Sequence, residues 1–332
     1  MAVCCLDDAG LWAEELAAGG IAVTALHRTP GFHPALARRV AQAARAHRAT
    51  VLHAHHYSPF VYGALARLAG SGARVVFTEH GRLSDAGPSS KRRTANRLFA
   101  RLADRTFAVS ENVKAHLVGE GFPAERVAVI YNGIAIGALP DAGSRARVRA
   151  QLGVDAGTCV VGTIARLDAV KDLGTLLRAV AAVPAEVRLL LVIVGDGAER
   201  TALDDLTRAL AVEDRVRFLG YRADARDWLA GCDLYANSSI SEGVSLTILE
   251  AMAAGLPVVA TAVGGTPEVV DASCGRLVPS RDPAALGAIL RNLAQDPEIR
   301  AELGREGRRR VETQFSLDRM VRAYGDLYRR LD

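Results

Sequence analysis

The chain has 332 residues, half of them apolar and 23% charged, which is enough for two domains with sizeable cores and excludes a globally disordered chain. Mean hydropathy is +0.12, yet no stretch of about 20 residues is continuously apolar, and the start MAVCCLDDAG lacks a basic segment, so neither a membrane span nor a secretory leader is expected. Five cysteines without a C-x-x-C pair argue against a disulfide framework or a zinc motif, and the net charge of +4 divides into +6 over residues 1–135 (16 Lys and Arg, 10 Asp and Glu) and −2 over 136–332 (25 and 27).

In chain order, helices are predicted at 34–47, 57–68, 90–103 and 110–119, and short buried strands at 51–53, 74–78, 106–109 and 127–131. A linker marked by Gly133, Gly137, Pro140, Gly143 and Gly153 runs through 133–152. Strands follow at 159–165, 189–194, 216–219, 234–236, 258–260 and 274–278, with helices at 173–180, 198–210, 225–230, 245–254, 267–271 and 283–296. Residues 316–331 read as an amphipathic helix with Met320, Val321, Tyr324, Leu327 and Tyr328 on its apolar side. Apolar strands alternating with helices predict an α/β protein with two doubly wound parallel sheets in tandem.

The densest chemical signal is SSISEGVSLTILEAMAAGLPVVATAV at 238–263. Glu242 precedes a predicted helix and Glu250 is placed about two turns inside it. The amides of Gly243, Val244, Ser245 and Leu246 would lie at the positive helix end, which suits a phosphate. Singly, each carboxylate reads as an ordinary cap or a solvent-facing helix residue. Together, ahead of the turn at 255–257 and a buried strand, they point to sugar and ribose hydroxyls. A second signal is Arg166 and Lys171, two cations following a buried strand, where an open parallel sheet has its ligand crevice. A guanidinium fork with an ammonium suits a diphosphate, whereas the bland reading pairs them with Asp168 or Asp172.

A third signal is His80, which closes the strand in Phe77-Thr78-Glu79-His80-Gly81-Arg82 and could bind a sugar hydroxyl. His53, His55 and His56 lack acidic or cysteine ligands at useful spacing, and no D-x-D clamp occurs, so no metal is expected. Gly195-Asp196-Gly197 is only half a dinucleotide fingerprint, because Arg200 stands where its third glycine would be. Lys91, Arg92, Arg93, Arg97, Arg101 and Arg105 with Leu98 and Phe99 make a basic amphipathic helix. It reads first as a solvated face and second as a contact for anionic lipid or a lipid-linked diphosphate. The arginines are interleaved with acids, so no nucleic-acid partner is expected.

These motifs resemble family 4 glycosyltransferases of GT-B architecture. The resemblance rests on Glu242 and Glu250 as an E-x7-E pair, Arg166 with Lys171, and the FTEHGR segment. VSENV (109–113), VIYNG (129–133), VGDGAER (194–200), FLGYR (218–222), AVGGTPEVV (262–270) and CGRLVPSRD (274–282) add to it. It implies a GT-B fold: an acceptor-side Rossmann-like domain at 1–136, a nucleotide-sugar-binding domain at 137–315, and a helix at 316–332 that returns to the first domain, the two facing across a cleft. It implies a retaining, metal-independent hexosyltransferase that needs no cofactor and serves polysaccharide or glycolipid synthesis in the cytoplasm, at the inner face of the membrane. Its partners would be a nucleoside diphosphate sugar donor, a sugar or lipid-linked acceptor, and an anionic membrane touched through the basic first domain. In this likeness Glu242 and the amides of 243–246 hold sugar and diphosphate, Glu250 the ribose, and Arg166 and Lys171 the leaving diphosphate. His80 contacts the transferring sugar, and Gly195 and Tyr221 lie near the base.

Two departures accompany the likeness. VCCLDDAG resembles the family's second strand, so a strand, glycine turn and helix of about 30 residues are expected to be absent. Ala135 stands where the family usually has Asp. Alternatives are a sugar-nucleotide epimerase of the same fold and an impaired nucleotide-sugar-binding remnant. A dehydrogenase is least supported, given the broken glycine fingerprint.

Overall fold

The computed structural model describes residues 1–10, 12–81 and 89–331. Its chain divides into two compact units, one of residues 1–131 with 322–332 and one of 132–321. The division falls at 131/132 rather than 136/137. Ile134 forms a β-bridge to Ser316, and a Cβ on Gly133 would stand 2.4 Å from the Ser316 carbonyl, so this stretch packs within the second unit.

The first unit runs β1 (Ala2–Cys5), α1 (Ala13–Ala18), β2 (Ala22–Ala25), α2 (Pro34–Ala46), β3 (Val51–His55), α3 (Tyr57–Leu68), β4 (Arg74–Glu79), α4 (Ser90–Ala100), β5 (Arg105–Ala108), α5 (Glu111–Gly119) and β6 (Val127–Val129). All pairings are parallel, and the strands fall into two separate sheets, β1-β2 and β3-β4-β5-β6. Leu6, Leu26, Leu36, Val40 and Tyr62 form the core associated with the smaller sheet. Phe60 and Phe77 stack at 4.3 Å between α3 and β4.

The second unit contains α6 (Ala142–Leu152), β7 (Cys159–Ile164), α7 (Leu173–Ala182), β8 (Leu189–Val194), α8 (Arg200–Ala209), β9 (Val216–Gly220), β10 (Leu234–Asn237), α9 (Leu246–Ala253), β11 (Val258–Thr261), α10 (Thr266–Val269), β12 (Gly275–Val278), α11 (Pro283–Gln295) and α12 (Pro297–Gln314); α13 (Leu317–Leu331) follows. Its parallel sheet has the order β12-β11-β10-β7-β8-β9. β8 reads Leu-Leu-Leu-Val-Ile-Val and is wholly buried, as expected of a strand covered by helices on both faces. The chain winds outward from β7 to β9, returns to β10, and winds the other way to β12. The loops after β7 and β10 therefore part at a topological switch point.

Several elements differ from expectation. The stretch read as a linker at 133–152 contains helix α6: Asp141 caps it by accepting from the Ser144 amide at 2.7 Å, and Gly153 ends it in the left-handed region at φ 67°. Residues 225–231 form a 3-10 turn rather than an α-helix. Nothing was read at 13–25, where α1 and β2 lie, or at 297–314, where α12 lies. Helix α12 buries little apolar surface beyond Leu303 and Val311 because it packs through glycine: a Cβ on Gly304 would stand 2.0 Å from the Gly255 carbonyl. Hydrophobic periodicity carries no mark of such a contact.

The end of α13 belongs to the first unit. Leu327 and Leu331 pack with Val76 and Phe107, Tyr324 OH shares a 3.2 Å hydrogen bond with Thr78 Oγ1, and Tyr328 OH lies 2.5 Å from His53 Nδ1.

Candidate functional site

The switch point in the second unit brings Lys171 and Glu242 together. β7 ends at Ile164 and the chain runs through Arg166 and Asp168 to Lys171. β10 ends at Asn237 and the chain runs through Ser239 to Glu242. The two loops are fastened to each other, because the Ile240 amide donates to the Val170 carbonyl at 2.9 Å and Ser238 Oγ to the Lys171 carbonyl at 2.9 Å. Lys171 Nζ donates to Glu242 Oε1 at 2.7 Å. The same oxygen accepts from Ser239 Oγ at 2.7 Å and Asn237 Nδ2 at 3.4 Å. Both charged side chains are largely buried, 19% exposed for Lys171 and 9% for Glu242. Three donors on one oxygen hold the carboxylate in a single orientation.

The backbone of Glu242 is fixed as well. Gly264 lies after β11 at φ +54°, and a Cβ there would stand 1.7 Å from the Glu242 carbonyl oxygen. Only glycine allows this approach. The Gly265 amide donates to that carbonyl at 3.3 Å. Beneath the site, Tyr235 OH on β10 donates to the Ile164 carbonyl at 3.1 Å and shares a 2.8 Å hydrogen bond with Thr247 Oγ1, joining β7, β10 and α9; burial pushes its phenol up to about 12.

The remaining candidates fall into place less uniformly. Arg166 is 81% exposed and pairs with Asp168 at 3.0 Å, as the bland reading had it, and makes no recorded bond to Glu242. Val244 is buried, Ser245 occupies the N-cap of α9 and Leu246 opens the helix, so Gly243 to Leu246 lead into amides that have no intrahelical partner. Glu250 stands one turn into α9 rather than two. Its Oε1 accepts from Arg226 Nη2 at 2.6 Å; the carboxylate is 12% exposed and the arginine 60%. Gly195 ends β8 at φ +139°, with a Cβ position 1.8 Å from the Ala165 carbonyl, and its amide donates to the Gly220 carbonyl at 2.8 Å. That bond brings it beside Tyr221, which is 73% exposed. A cavity of about 590 Å³ lies between α7 and α8 beside the loop that follows β7, lined by Asp168, Asp172, Leu173, Arg178 and Leu206; Lys171 and Glu242 do not line it.

His80 lies in the first unit, one residue past β4. Its Nε2 is 2.9 Å from His55 Nδ1, and its ring lies 5.0 Å from that of His56. Burial first, then His55 and His56, push the His80 imidazole down to about 4, so it is neutral at pH 7. Behind it His53 is pushed to about 3, chiefly by burial. Arg82 of the FTEHGR segment lies outside the described residues. Among the described residues no three His, Cys, Asp or Glu side chains are grouped to hold a metal ion. Sequence reasoning missed Asn237 and Arg226; Ser239 and Gly264 stand in quoted motifs without their contacts to Glu242.

Residues 1–137 match the family model described as Glycosyltransferase Family 4, and residues 158–296 match the one described as Glycosyl transferases group 1. The N-acetyl-alpha-D-glucosaminyl L-malate synthase of Bacillus anthracis is 28% identical over 303 residues, which is 90% of this chain and 79% of that protein. A D-inositol 3-phosphate glycosyltransferase of Streptomyces avermitilis is 35% identical over 242 residues, 68% of this chain and 52% of that one, so the chain spans about half the length of this relative. The crystal structure of HepE from Anabaena in complex with UDP superposes with a TM-score of 0.87 at 28% identity, covering 98% of this chain and 91% of that one. With parallel α/β sheets in both units and family matches over both halves, the chain belongs to the family 4 glycosyltransferases of GT-B type.

Proposed function

We propose that this chain transfers a hexosyl group from a uridine diphosphate sugar to a sugar or lipid-linked acceptor, with retention and without a metal ion. The observation that carries the reading is the Lys171–Glu242 pair at the switch point of the second unit's sheet. The HepE complexes with UDP and with UDP-glucose support uridine as the base.

The leaving diphosphate gains negative charge as the glycosidic bond breaks. Lys171 and the first amides of α9 are positive groups held in place that favour this charge, and Arg166, exposed and paired with Asp168, must turn from that partner to join them. The three donors on Glu242 Oε1 leave Oε2 to accept from a hydroxyl of the bound sugar. Glu250, one turn along α9 and held by Arg226, accepts from the ribose. Gly195 and Tyr221 border the base. His80 of the first unit is a neutral imidazole, able to donate from one nitrogen and accept at the other, which suits a sugar hydroxyl.

Incubation with UDP-glucose or UDP-N-acetylglucosamine and candidate acceptors in EDTA tests the reading. UDP release and an α-configured product by NMR are expected. Absence of release from every donor, or a β-configured product, overturns it.

A basic face supports an acceptor at a membrane surface. Lys91, Arg93, Arg97 and Arg101 are exposed along α4 and just past its end, beside Leu98 at 57% exposure, whereas Arg92 turns inward to Glu120 at 3.0 Å. Among the described residues no helix is long and apolar enough to cross a membrane. Flotation with phosphatidylglycerol vesicles is expected to carry the protein, and flotation equal to that with phosphatidylcholine alone overturns this part.

A further inference from the structure

Two costly features meet beside His80. The first is Glu79, the last residue of β4 and only 2% exposed. Its Oε1 accepts from the His80 amide at 2.9 Å and the Gly81 amide at 3.3 Å, and lies 3.0 Å from His56 Nδ1. Among the described residues its Oε2 is buried with no hydrogen-bond partner. A buried carboxylate is an expensive way to end a strand when a neutral Ser or Asn could cap the same amides. The second is His56, just past β3, whose backbone sits at φ 73° and ψ 162°, a region essentially reserved for glycine. Its amide donates to the Thr78 carbonyl at 2.9 Å while its ring engages Glu79. A non-glycine residue stays in such a conformation only when its surroundings over-determine it, and such strain collects at functional sites.

We infer that Glu79, braced by the strained His56, is a positioning residue for His80: one carboxylate oxygen grips the two amides of the turn that carries the imidazole and ties that turn to the tip of β3. The inference rests on the transferase reading for the role of His80 itself. The groups that face this cluster are His55 at the end of β3 and His56 just past it, His80 after β4, His53 behind His55, and Tyr324 and Tyr328 of α13 on the His53 side. Among the described residues the ionic partner of Glu79 is His56. That bond raises the His56 imidazole, while burial and histidine neighbours lower His53, His55 and His80. Positive charge in the cluster therefore collects on His56, and His80 stays neutral.

Glu79→Gln keeps the acceptor oxygen and the volume but removes the charge. Expected are a fall in kcat for UDP release of about tenfold or more, a donor KM within about twofold, a lower His56 titration midpoint by NMR, and displaced His80 and Gly81 amide resonances. Added to His80→Ala, the change costs little further rate, because its effect passes through His80. His56→Gly suits the backbone and serves if the first variant does not fold; it is expected to fold and to lose kcat. Unchanged kcat in either folded variant, or full additivity with His80→Ala, overturns the inference. If the parent releases no UDP from any donor, the transferase reading fails, and the amide resonances still judge the positioning claim: displaced in Glu79→Gln they support it, unmoved they refute it.

Discussion

Lys171→Ala removes the cation from a carboxylate that is 9% exposed. Stripping one partner from a buried ion pair costs about 3–5 kcal/mol. Here Ser239 and Asn237 still donate to Glu242, and Lys171 is itself 19% exposed, so the loss falls below that range, at about 2–3 kcal/mol. The second unit spans residues 132–321, which is 190 residues, and at about 2–4 °C per kcal/mol its thermal midpoint drops by about 5–10 °C. The assay is calorimetry of the parent, Lys171→Ala, Glu242→Ala and the double variant, with urea unfolding alongside because two units need not unfold as one transition. Removing both partners leaves no orphaned charge, so the double variant is less destabilised than the two single losses added, by about 1–2 kcal/mol. A Lys171→Ala midpoint within about 1 °C of the parent, or strict additivity in the cycle, refutes the reasoning.

Further outcomes are expected. The His53 pKa lies near 3 in the folded protein and near 6.5 unfolded, so the unfolded chain binds the extra proton between those values; this contribution is intact above about pH 6.5 and is lost as pH falls towards 3. Thermal midpoints of the parent should therefore fall more steeply below pH 6.5 than those of His53→Gln, and parallel curves contradict this. Gly264→Ala places a methyl at 1.7 Å from the Glu242 carbonyl in a positive-φ position and should cost about 2 kcal/mol or more. Gly119→Ala, in a helix with nothing within 4 Å of the new methyl, should stabilise by about 0.5 kcal/mol, both read by urea unfolding. Glu250→Ala should weaken UDP binding in calorimetry by about tenfold or more, whereas Arg226→Ala, which takes the donor from a carboxylate that is 12% exposed but is itself 60% exposed, should cost about 1–2 kcal/mol of stability.

The site was legible where chemistry coincides with position in a parallel sheet. Lys171 and Glu242 could be placed because each follows a strongly apolar strand, and the carboxyl ends of such strands are where ligands bind. Their direct ion pair was not legible, since spacing along the chain says nothing of which strands are neighbours; the order with β7 beside β10 supplies it. Arg226 escaped notice because an exposed arginine in a short 3-10 turn looks like any solvated cation. Glu79 was quoted only as part of a motif, and a lone glutamate closing a strand carries no sign that it is buried. Helix α12 escaped for a packing reason, glycine against backbone, while α13 was plain because its Tyr and Leu recur at helical spacing. The division into β1-β2 and β3 to β6 is a matter of pairing, which local sequence does not encode.

If the switch-point cradle of the second unit grips the diphosphate of a nucleotide sugar, as proposed, donor affinity depends on Lys171. Isothermal titration of UDP-glucose into the chain in EDTA, comparing the parent with Lys171→Ala, decides this. Saturable binding at one site per chain is expected, weakened at least about tenfold in the variant. Equal affinity in both proteins, or no binding to the parent, contradicts it.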